Sequence, residues 1–429
     1  MAQTVAEVPP PVPMSPAPPL LIACPDCAAI QEMPPPPAHG RLACCRCGHV
    51  LEETAGRSLD AALACAIATL LLLLPANLLA LMTVHVAGIT ESTQLASGLG
   101  TFWRQGWPAL AVILGLQGIV LPFVRFGLLV ATLGALRLGI AGAWVGPAFR
   151  WSERLDPWAM ADVLAIGLGV GYGRVASQIP VTIGGGGWCF IGAALFTMLT
   201  RAVLERRAVW RRIAAPPAEV GRDAIGCVDC DLALPGELQD RRCPRCRAVL
   251  HRRKPFAYQR CLALVIASCA LIPIAYWLPM SVLWEAGTVQ PHSIIDGIIL
   301  LFGHGFWPLG ILICLASVGI PLGKLIGLTW CLAATRRGSP HGLRQRTRVY
   351  RVIDDIGRWS NLDPLTVLIF APMVQFGQLA HIQVKGGSLA FLAMVVLSMI
   401  AARVFDPRIM WDAAEAGAAD AAAAARAPA

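Results

Sequence analysis

Long apolar segments recur along the chain, each holding few charged residues and separated from the next by a polar stretch. A helix needs about 20 mostly apolar residues to cross a bilayer. Eight segments fit, namely residues 61–83, 107–134, 157–177, 187–204, 261–283, 304–333, 362–381 and 386–404. The pattern predicts an all-α polytopic membrane protein with eight transmembrane helices. In the third segment Asp162 and Arg174 leave only 11 uncharged residues between them.

Composition agrees with this pattern, since 56% of the 429 residues are hydrophobic and 14% are charged. An ordinary soluble protein is excluded by these values. Lys and Arg concentrate in residues 205–260 and 334–361, whereas residues 84–103, 178–186 and 284–303 contain neither. The positive-inside rule therefore places both termini on the cytoplasmic side of the membrane. These basic flanks account for the net charge of +9, so we expect no nucleic-acid partner.

The same motifs occur twice, about 200 residues apart. LPFVR at residues 121–125 returns as IPLGK at 320–324, and WSERLDP at 151–157 returns as WSNLDP at 359–364. The chain is therefore predicted to be a tandem duplication. Each repeat has an even number of spans, so the halves run parallel, and a substrate path is expected at their interface.

Each repeat is preceded by two CxxC pairs, and the predicted domains follow from this order. They are a disordered proline-rich N-terminus (1–20), zinc ribbon 1 (21–52), membrane repeat 1 (58–208), zinc ribbon 2 (222–252), membrane repeat 2 (258–412) and a disordered alanine-rich tail (413–429). Both ribbons would be cytoplasmic and would brace the ends of the four-helix blocks.

The cysteine pairs predict two tetrahedral metal sites. Their spacings are C-x2-C-x16-C-x2-C and C-x2-C-x12-C-x2-C, and each pair can direct two thiolates at one ion. Zinc in a structural role is favoured over iron, although a rubredoxin-like site has the same spacing. Cys45 is a spare thiol. The predicted ligands are Cys24, Cys27, Cys44, Cys47, Cys227, Cys230, Cys243 and Cys246.

Five charged residues lie in or beside the apolar segments, and such residues are costly there. Arg125 and Lys324 occupy matching places, where they either reach the headgroup region or form a polar site inside the bundle. Asp156 and Asp363, in the repeated Leu-Asp-Pro, either cap helices or pair with those cations. Asp162 lies one turn deeper, and we consider it a candidate proton carrier.

No catalytic motif or phosphate-binding loop is found, so an enzyme is not predicted. The twin ribbons, GRWSNLD at 357–363 and the ending ARVFDPRIMWD at 402–412 resemble the paraquat-inducible protein A family of bacterial inner-membrane proteins. That resemblance implies a subunit of a system that moves phospholipids between the inner and outer membranes. It also implies a periplasmic partner with MCE domains that forms a tunnel. Transport would be proton-coupled through the five charged residues.

Two other classes of function fit the same residues. A membrane redox protein would use iron in the ribbons and pass electrons to a quinone. A metal-dependent scaffold would use the ribbons to dock cytoplasmic proteins.

Overall fold

A computed structural model describes residues 20–33, 40–54, 58–86, 89–140, 142–176, 181–213, 223–285, 288–303, 305, 307–373 and 380–426. It is mostly helical, and its two halves repeat one order of elements. The predicted disordered N-terminus lies outside the described residues except for Leu20.

Small antiparallel hairpins form the two ribbons. Ribbon 1 has four strands and ribbon 2 has two. Their bounds are β1 Leu20–Ala23, β2 Ile30–Met33, β3 Gly40–Ala43, β4 Val50–Thr54, β8 Ile225–Gly226 and β9 Ala233–Leu234.

The first half begins with a long helix. Ser58 caps the N-terminus of this helix by accepting a hydrogen bond from the Asp60 amide. A hairpin and a short helix follow, and Gly106 turns the chain with a φ of 83°. The elements are α1 Leu59–Leu78, β5 Met82–Val86, β6 Ile89–Thr93, α2 Leu95–Arg104, α3 Pro108–Gly115, α4 Leu121–Arg137, α5 Val145–Leu155, α6 Ala161–Ala176, β7 Val181–Ile183, α7 Gly185–Val203 and α8 Arg206–Arg212.

The second half repeats this order, with Gly305 at the turn that corresponds to Gly106. Its elements are α9 Ala257–Trp277, β10 Ser281–Glu285, β11 Thr288–His292, α10 Ile294–Gly303, α11 Trp307–Cys314, α12 Ile320–Arg336, α13 Leu343–Ile356, α14 Leu362–Met373, β12 Ala380–Val384, α15 Gly386–Val404 and α16 Arg408–Arg426. A short 3-10 helix, Gly357–Asn361, joins α13 to α14.

A π-helical turn interrupts the second long helix of each half, at Leu116–Val120 and at Leu315–Gly319. A proline follows two residues later in both halves, Pro122 and Pro321. Because proline has no amide hydrogen, the regular helical hydrogen bonds cannot continue through this point. The wider turn changes the direction in which the neighbouring side chains point, and such turns are frequent at functional sites.

Six helices of the described residues are long and apolar enough to cross a membrane, and they lie in six of the eight predicted spans. The third and seventh predicted spans contain α6 and α14, of which 16 and 12 residues are described, and residues 177–180 and 374–379 that follow them lie outside the described part of the chain. In the third span, α6 begins only at Ala161, after the turn that follows Leu155. The six are Leu59–Leu78, Pro108–Arg137, Gly185–Val203, Ala257–Trp277, Gly310–Arg336 and Gly386–Val404.

Two further expectations need correction. The segments between the first two spans of each half contain strands, so the fold is not purely helical. Each half has one three-stranded antiparallel sheet, of order β6-β5-β7 or β11-β10-β12, at the end of the bundle far from the ribbons, here called the hairpin end. The tail predicted to be disordered is helical as far as Arg426, which agrees with the high helix propensity of alanine.

The two halves meet along a seam formed by α6 and α14, with α2 also packed on α14. Small residues allow this approach. A Cβ on Gly98 would overlap the carbonyl oxygen of Leu368, and a Cβ on Gly167 would lie 3.0 Å from the Thr366 hydroxyl. The seam therefore depends on glycine at these places.

We expect Gly98→Ala to lower the free energy of unfolding by about 1–3 kcal/mol, because the added methyl group pushes α2 away from α14. Gly127→Ala is the control, since nothing lies within 4 Å of a Cβ there. Thermal unfolding in detergent measures both. Equal midpoints for the two variants would contradict this account of the seam.

Candidate functional site

The eight predicted metal ligands form two clusters of four buried cysteines each. Within a cluster all four sulfur atoms lie within 4.8 Å of one another. The Cys24 and Cys47 sulfurs are 3.5 Å apart, as are those of Cys227 and Cys246. Thiolates about 2.3 Å from a tetrahedral zinc ion would be about 3.8 Å apart. Each cluster therefore has the size and donor set of a site for one metal ion, whereas Cys45 is exposed and lies outside.

Each CxxC turn ends with a residue in the left-handed region of backbone conformation. Gly48 has a φ of 71°, and Arg247 occupies the matching place in ribbon 2 with a φ of 57°. An arginine is strained there, whereas glycine is not. The Arg247 amide nevertheless donates to the Cys243 carbonyl at 2.8 Å, so the turn is preserved.

The ribbons dock crosswise, and each packs on the membrane block of the other half. Asp26 of ribbon 1 pairs with Arg351 of α13 at 2.5 Å. Arg351 also lies 3.4 Å from the Cys47 sulfur, where it can donate a hydrogen bond to a metal ligand. The equivalent carboxylate in ribbon 2, that of Asp229, accepts hydrogen bonds from Nε and Nη2 of Arg154 on α5, at 2.9 and 2.8 Å.

Close backbone contact accompanies these ion pairs. A Cβ on Gly146 of α5 would collide with the Arg245 carbonyl in the second CxxC turn. The ribbons also touch each other through a bridge between Ile22 and Leu232, and Glu52 of ribbon 1 pairs with Arg211 of α8. The two ribbons thus fasten both halves together at one end of the bundle, here called the ribbon end.

The ending that carried the family resemblance has a structural role at the ribbon end. Asp406 accepts hydrogen bonds from the Arg408 guanidinium at 2.7 and 2.8 Å and from the Lys254 amide at 3.0 Å. Trp411 packs among the cysteines of ribbon 1, with the Arg46 guanidinium 4.7 Å from its ring centroid. The motif thus attaches α16 to α9 and to the first cluster.

The first half contains a counterpart of this motif that was not predicted from the sequence. LERRAVW at 204–210 aligns with FDPRIMW at 405–411, and both end in a buried tryptophan. Trp210 contacts Phe149 of α5 edge to face, with ring centroids 4.9 Å apart. The sequence did contain a sign of this repeat, because Trp210 follows the end of α7 by as many residues as Trp411 follows the end of α15. The charged residues between helix and tryptophan differ between the two copies.

Arg125, Asp156 and Asp162 come together in the first half. Arg125 is 2% exposed and its Nη2 lies 2.6 Å from Asp156. Arg201 of α7 joins both acids, with its Nε 2.8 Å from Asp156 and its Nη1 on Asp162. Two guanidinium groups and two carboxylates of the first half form this cluster, which Arg358 of the second half joins.

The Asp156 carboxyl lies in the turn before α6, and its pKa is lowered to about 2. Burial alone would raise this pKa, but the guanidinium groups of Arg125 and Arg201 outweigh that effect. A lowered pKa means that the pairing stabilises the fold above the unfolded value near 3.9 and is lost only as the pH falls towards 2.

The matching cation of the second half has a different environment. Lys324 is 2% exposed, and its Nζ donates to the Gly357 carbonyl at 3.3 Å. No carboxylate of the described side chains lies in ion-pair range of Lys324. The side chain of Asp363, its predicted partner, is outside the described residues. Arg125 and Lys324 are both buried within the protein.

Polar contacts connect the two halves across the seam. Arg358 of the 3-10 helix reaches Asp156 at 3.7 Å, and it follows the glycine that Lys324 contacts. The Asn361 amide donates to the Gln117 side chain at 2.9 Å, on the first π-helical turn. Sequence reasoning missed Arg358 because it was counted with the basic flanks, and missed Arg201 because it was not singled out within the predicted span 187–204.

The comparisons with known proteins agree with this architecture. A model of the paraquat-inducible protein A family matches residues 59–214 and, a second time, residues 258–415. The chain belongs to the paraquat-inducible protein A family. The repeat predicted from the motifs is thus confirmed, because the same family model covers each half.

Curated relatives share most of their length with this chain. It is 28% identical over 406 residues to the Intermembrane transport protein PqiA of Escherichia coli strain K12, covering 91% of this chain and 95% of that protein. It is 28% identical over 404 residues to the Lipophilic envelope-spanning tunnel protein A of the same strain, covering 92% of each. A Probable intermembrane transport protein of Haemophilus influenzae is 24% identical over 409 residues. No solved structure is significantly similar. The family assignment and the six apolar helices identify a membrane protein.

We expect Cys246→Ser to halve the metal content of the purified protein, since three thiolates hold a metal far more weakly than four. Cys45→Ser is the control and should retain the full content. Elemental analysis by mass spectrometry of the metal-to-protein ratio measures both. Equal losses in the two variants would contradict the assignment of ligands.

Asp156→Asn should lower the free energy of unfolding by roughly 3 kcal/mol, because it leaves Arg125 buried without its anionic partner. The double variant Arg125→Met with Asp156→Asn should recover part of this loss, since Arg201 and Asp162 still balance. Because the pKa of Asp156 is about 2, the loss should be constant between pH 5 and 8. Denaturant unfolding measures it, and a loss confined to one end of that range would contradict the pairing.

Proposed function

We propose that this protein is the inner-membrane subunit of a system that moves phospholipids between the inner and outer membranes. The observation that carries the proposal is family membership over nearly the whole chain, with relatives named for intermembrane transport and for an envelope-spanning tunnel. The buried polar cluster along an otherwise apolar seam supports it, because charges at such depth mark functional pathways in membrane proteins. The partner would be a periplasmic MCE-domain protein.

The basic residues support an orientation with the ribbons in the cytoplasm. Arg336 and Arg337 end the fifth long helix, and the arginines of α8 and α13 lie at the same ribbon end. The hairpin end would then face the periplasm. The helices α6 and α14 would complete two blocks of four by packing on each other at the seam, although about 24 Å of helix in α6 does not alone span a bilayer.

We further propose that zinc fills both clusters. Four buried thiolates in a reducing cytoplasm suit a structural zinc ion, and ribbons of this size cannot build a core without such a cross-link. In this role the metal would hold each ribbon rigid, so that Asp26 and Asp229 present their carboxylates to α13 and α5.

The lipid-transport proposal is tested by purifying the protein from native membranes in mild detergent and identifying what accompanies it by mass spectrometry. We expect an MCE-domain protein, bound phospholipid and zinc. Recovery of iron, a quinone and a redox partner instead would contradict the proposal.

Proton coupling through Lys324 would require that its amine lose and regain a proton. We expect Lys324→Ala and Asp363→Asn to abolish transport. Lys324→Arg should fail too, since a guanidinium keeps its proton, even though arginine fills the matching place in the first half. Envelope lipid composition in a strain without related transporters measures this. Full activity of Lys324→Arg would show that a fixed positive charge suffices and would refute coupling at this residue.

A further inference from the structure

Two long helices of the first half reach the ribbon end at the same level. Helix α1 has 20 residues, so it is about 30 Å long, which is the thickness of the hydrocarbon core of a bilayer. Asp60 lies in the first turn of α1, and its carboxylate is 3.3 Å from the Arg137 guanidinium at the end of α4. Both side chains are exposed. Asp60 and Arg137 therefore mark the level at which the ribbon end leaves the membrane.

Exposed apolar side chains continue directly from this level. Leu138 and Ile140 are 75% and 49% exposed, and they flank Gly139, where a φ of 70° turns the chain. The Leu138 and Ile140 amides donate to carbonyls of the last turn of α4, at 3.0 and 2.9 Å. These hydrogen bonds hold both side chains close to the level of Arg137. Two large apolar side chains are thus held where the headgroup layer meets the acyl chains.

Helix α5, which follows this turn and packs on α4, has faces of three kinds. An apolar exposed face carries Trp144 and Trp151, both 48% exposed and seven residues apart, so they lie on the same side of the helix. A basic flank carries Arg150 and Arg154, whose guanidinium carbons lie 5.7 and 5.8 Å from the Trp151 ring centroid. The buried face consists of Val145, Gly146, Phe149 and Ser152. A helix with an apolar face bordered by arginines is typical of the membrane interface.

The Trp144 indole is held in place by the backbone of Gly142. A Cβ at Gly142 would lie 2.5 Å from the indole nitrogen and 2.7 Å from Cδ1. Only glycine leaves room for the ring at this place. One side of the indole therefore packs on the chain, and the other side is free to contact a partner outside it.

We propose that Leu138, Ile140 and the exposed face of α5 form a binding surface for phospholipids of the ribbon-end leaflet, with α5 lying in the headgroup layer. Tryptophan suits this layer because its ring is apolar and its indole N–H can donate to a headgroup oxygen. Arg150 lies beside the rings, where it can meet lipid phosphates. The inference goes beyond the function proposed above and does not depend on it.

The level and the charge of this surface favour a lipid over a protein as its occupant. Lipid already surrounds the helices at the level of Asp60 and Arg137, so a protein partner would first have to displace it. Apolar side chains bordered by an arginine also match a phospholipid, in which a phosphate lies next to acyl chains.

Ribbon 2 is attached to the same helix. Arg154 of α5 pairs with Asp229 of ribbon 2 at 2.8 Å. Contact between α5 and the headgroups would therefore fix the height of ribbon 2 above the bilayer. The surface would act as a support for the ribbon as well as a lipid contact.

Photo-crosslinking in nanodiscs of phosphatidylethanolamine and phosphatidylglycerol tests this surface. A benzoylphenylalanine takes the place of Trp144 or of Trp151 in the full-length protein, one position at a time. Val249 is the matched control, because it is apolar and 51% exposed but belongs to ribbon 2. We expect lipid adducts at both tryptophan positions and none at Val249, as measured by mass spectrometry of peptides.

Hydroxyl-radical labelling of the unaltered protein in the same nanodiscs gives a second readout that needs no substitution. Tryptophan reacts with hydroxyl radicals faster than valine does, and the three side chains are exposed to nearly the same fraction. We nevertheless expect Trp144 and Trp151 to be labelled less than Val249, because lipid shields them.

Three outcomes would refute the surface. They are crosslinks from both tryptophan positions to protein alone, lipid adducts at Val249 as abundant as at the tryptophan positions, and stronger radical labelling of the two tryptophans than of Val249. Each would leave the proposed function standing, since transport of phospholipid is measured separately.

Discussion

Polar groups that leave water must find partners within the chain, and this constraint organises the whole structure. It explains why the apolar segments are helices and why Arg125 is surrounded by Asp156 and its neighbours. It also explains why the side chains of Gln105 and Trp107, from the other half, donate hydrogen bonds to backbone carbonyls of the edge strand β12. Lys324 has one carbonyl oxygen as its described partner, and the proposed proton coupling is placed at this residue.

Duplication followed by divergence accounts for the differences between the halves. The first half has a cluster in which two arginines pair with two aspartates, and Arg358 of the second half joins it. The second half has a cation at the matching position, but there it is the amine of Lys324, which donates a hydrogen bond to the Gly357 carbonyl. At the hairpin end, Gln105 and Trp107 of the first half form hydrogen bonds with β12 of the second half.

Local patterns in the sequence predicted local features well. The spacing of the cysteines was enough to identify both clusters, because each CxxC turn places its own two thiols. The long helices followed from apolar length alone. The hairpins did not, since strands such as Met82–Val86 have only five residues and lie between stronger helical signals. Crosswise docking joins Asp26 to Arg351, 325 residues away, and no periodicity encodes such a contact. Arg358 was misjudged because a basic residue near a helix end usually faces headgroups, and Arg201 was not singled out within the predicted span 187–204.

The central claim is that this chain moves phospholipid, and transfer in a reconstituted system tests it most directly. Proteoliposomes that contain the protein and the proposed MCE-domain partner would be loaded with labelled phospholipid and mixed with acceptor vesicles under an imposed proton gradient. The account predicts transfer that needs both proteins and the gradient and that stops with Lys324→Ala. Transfer at the rate of empty vesicles, with partner and gradient present, would contradict it.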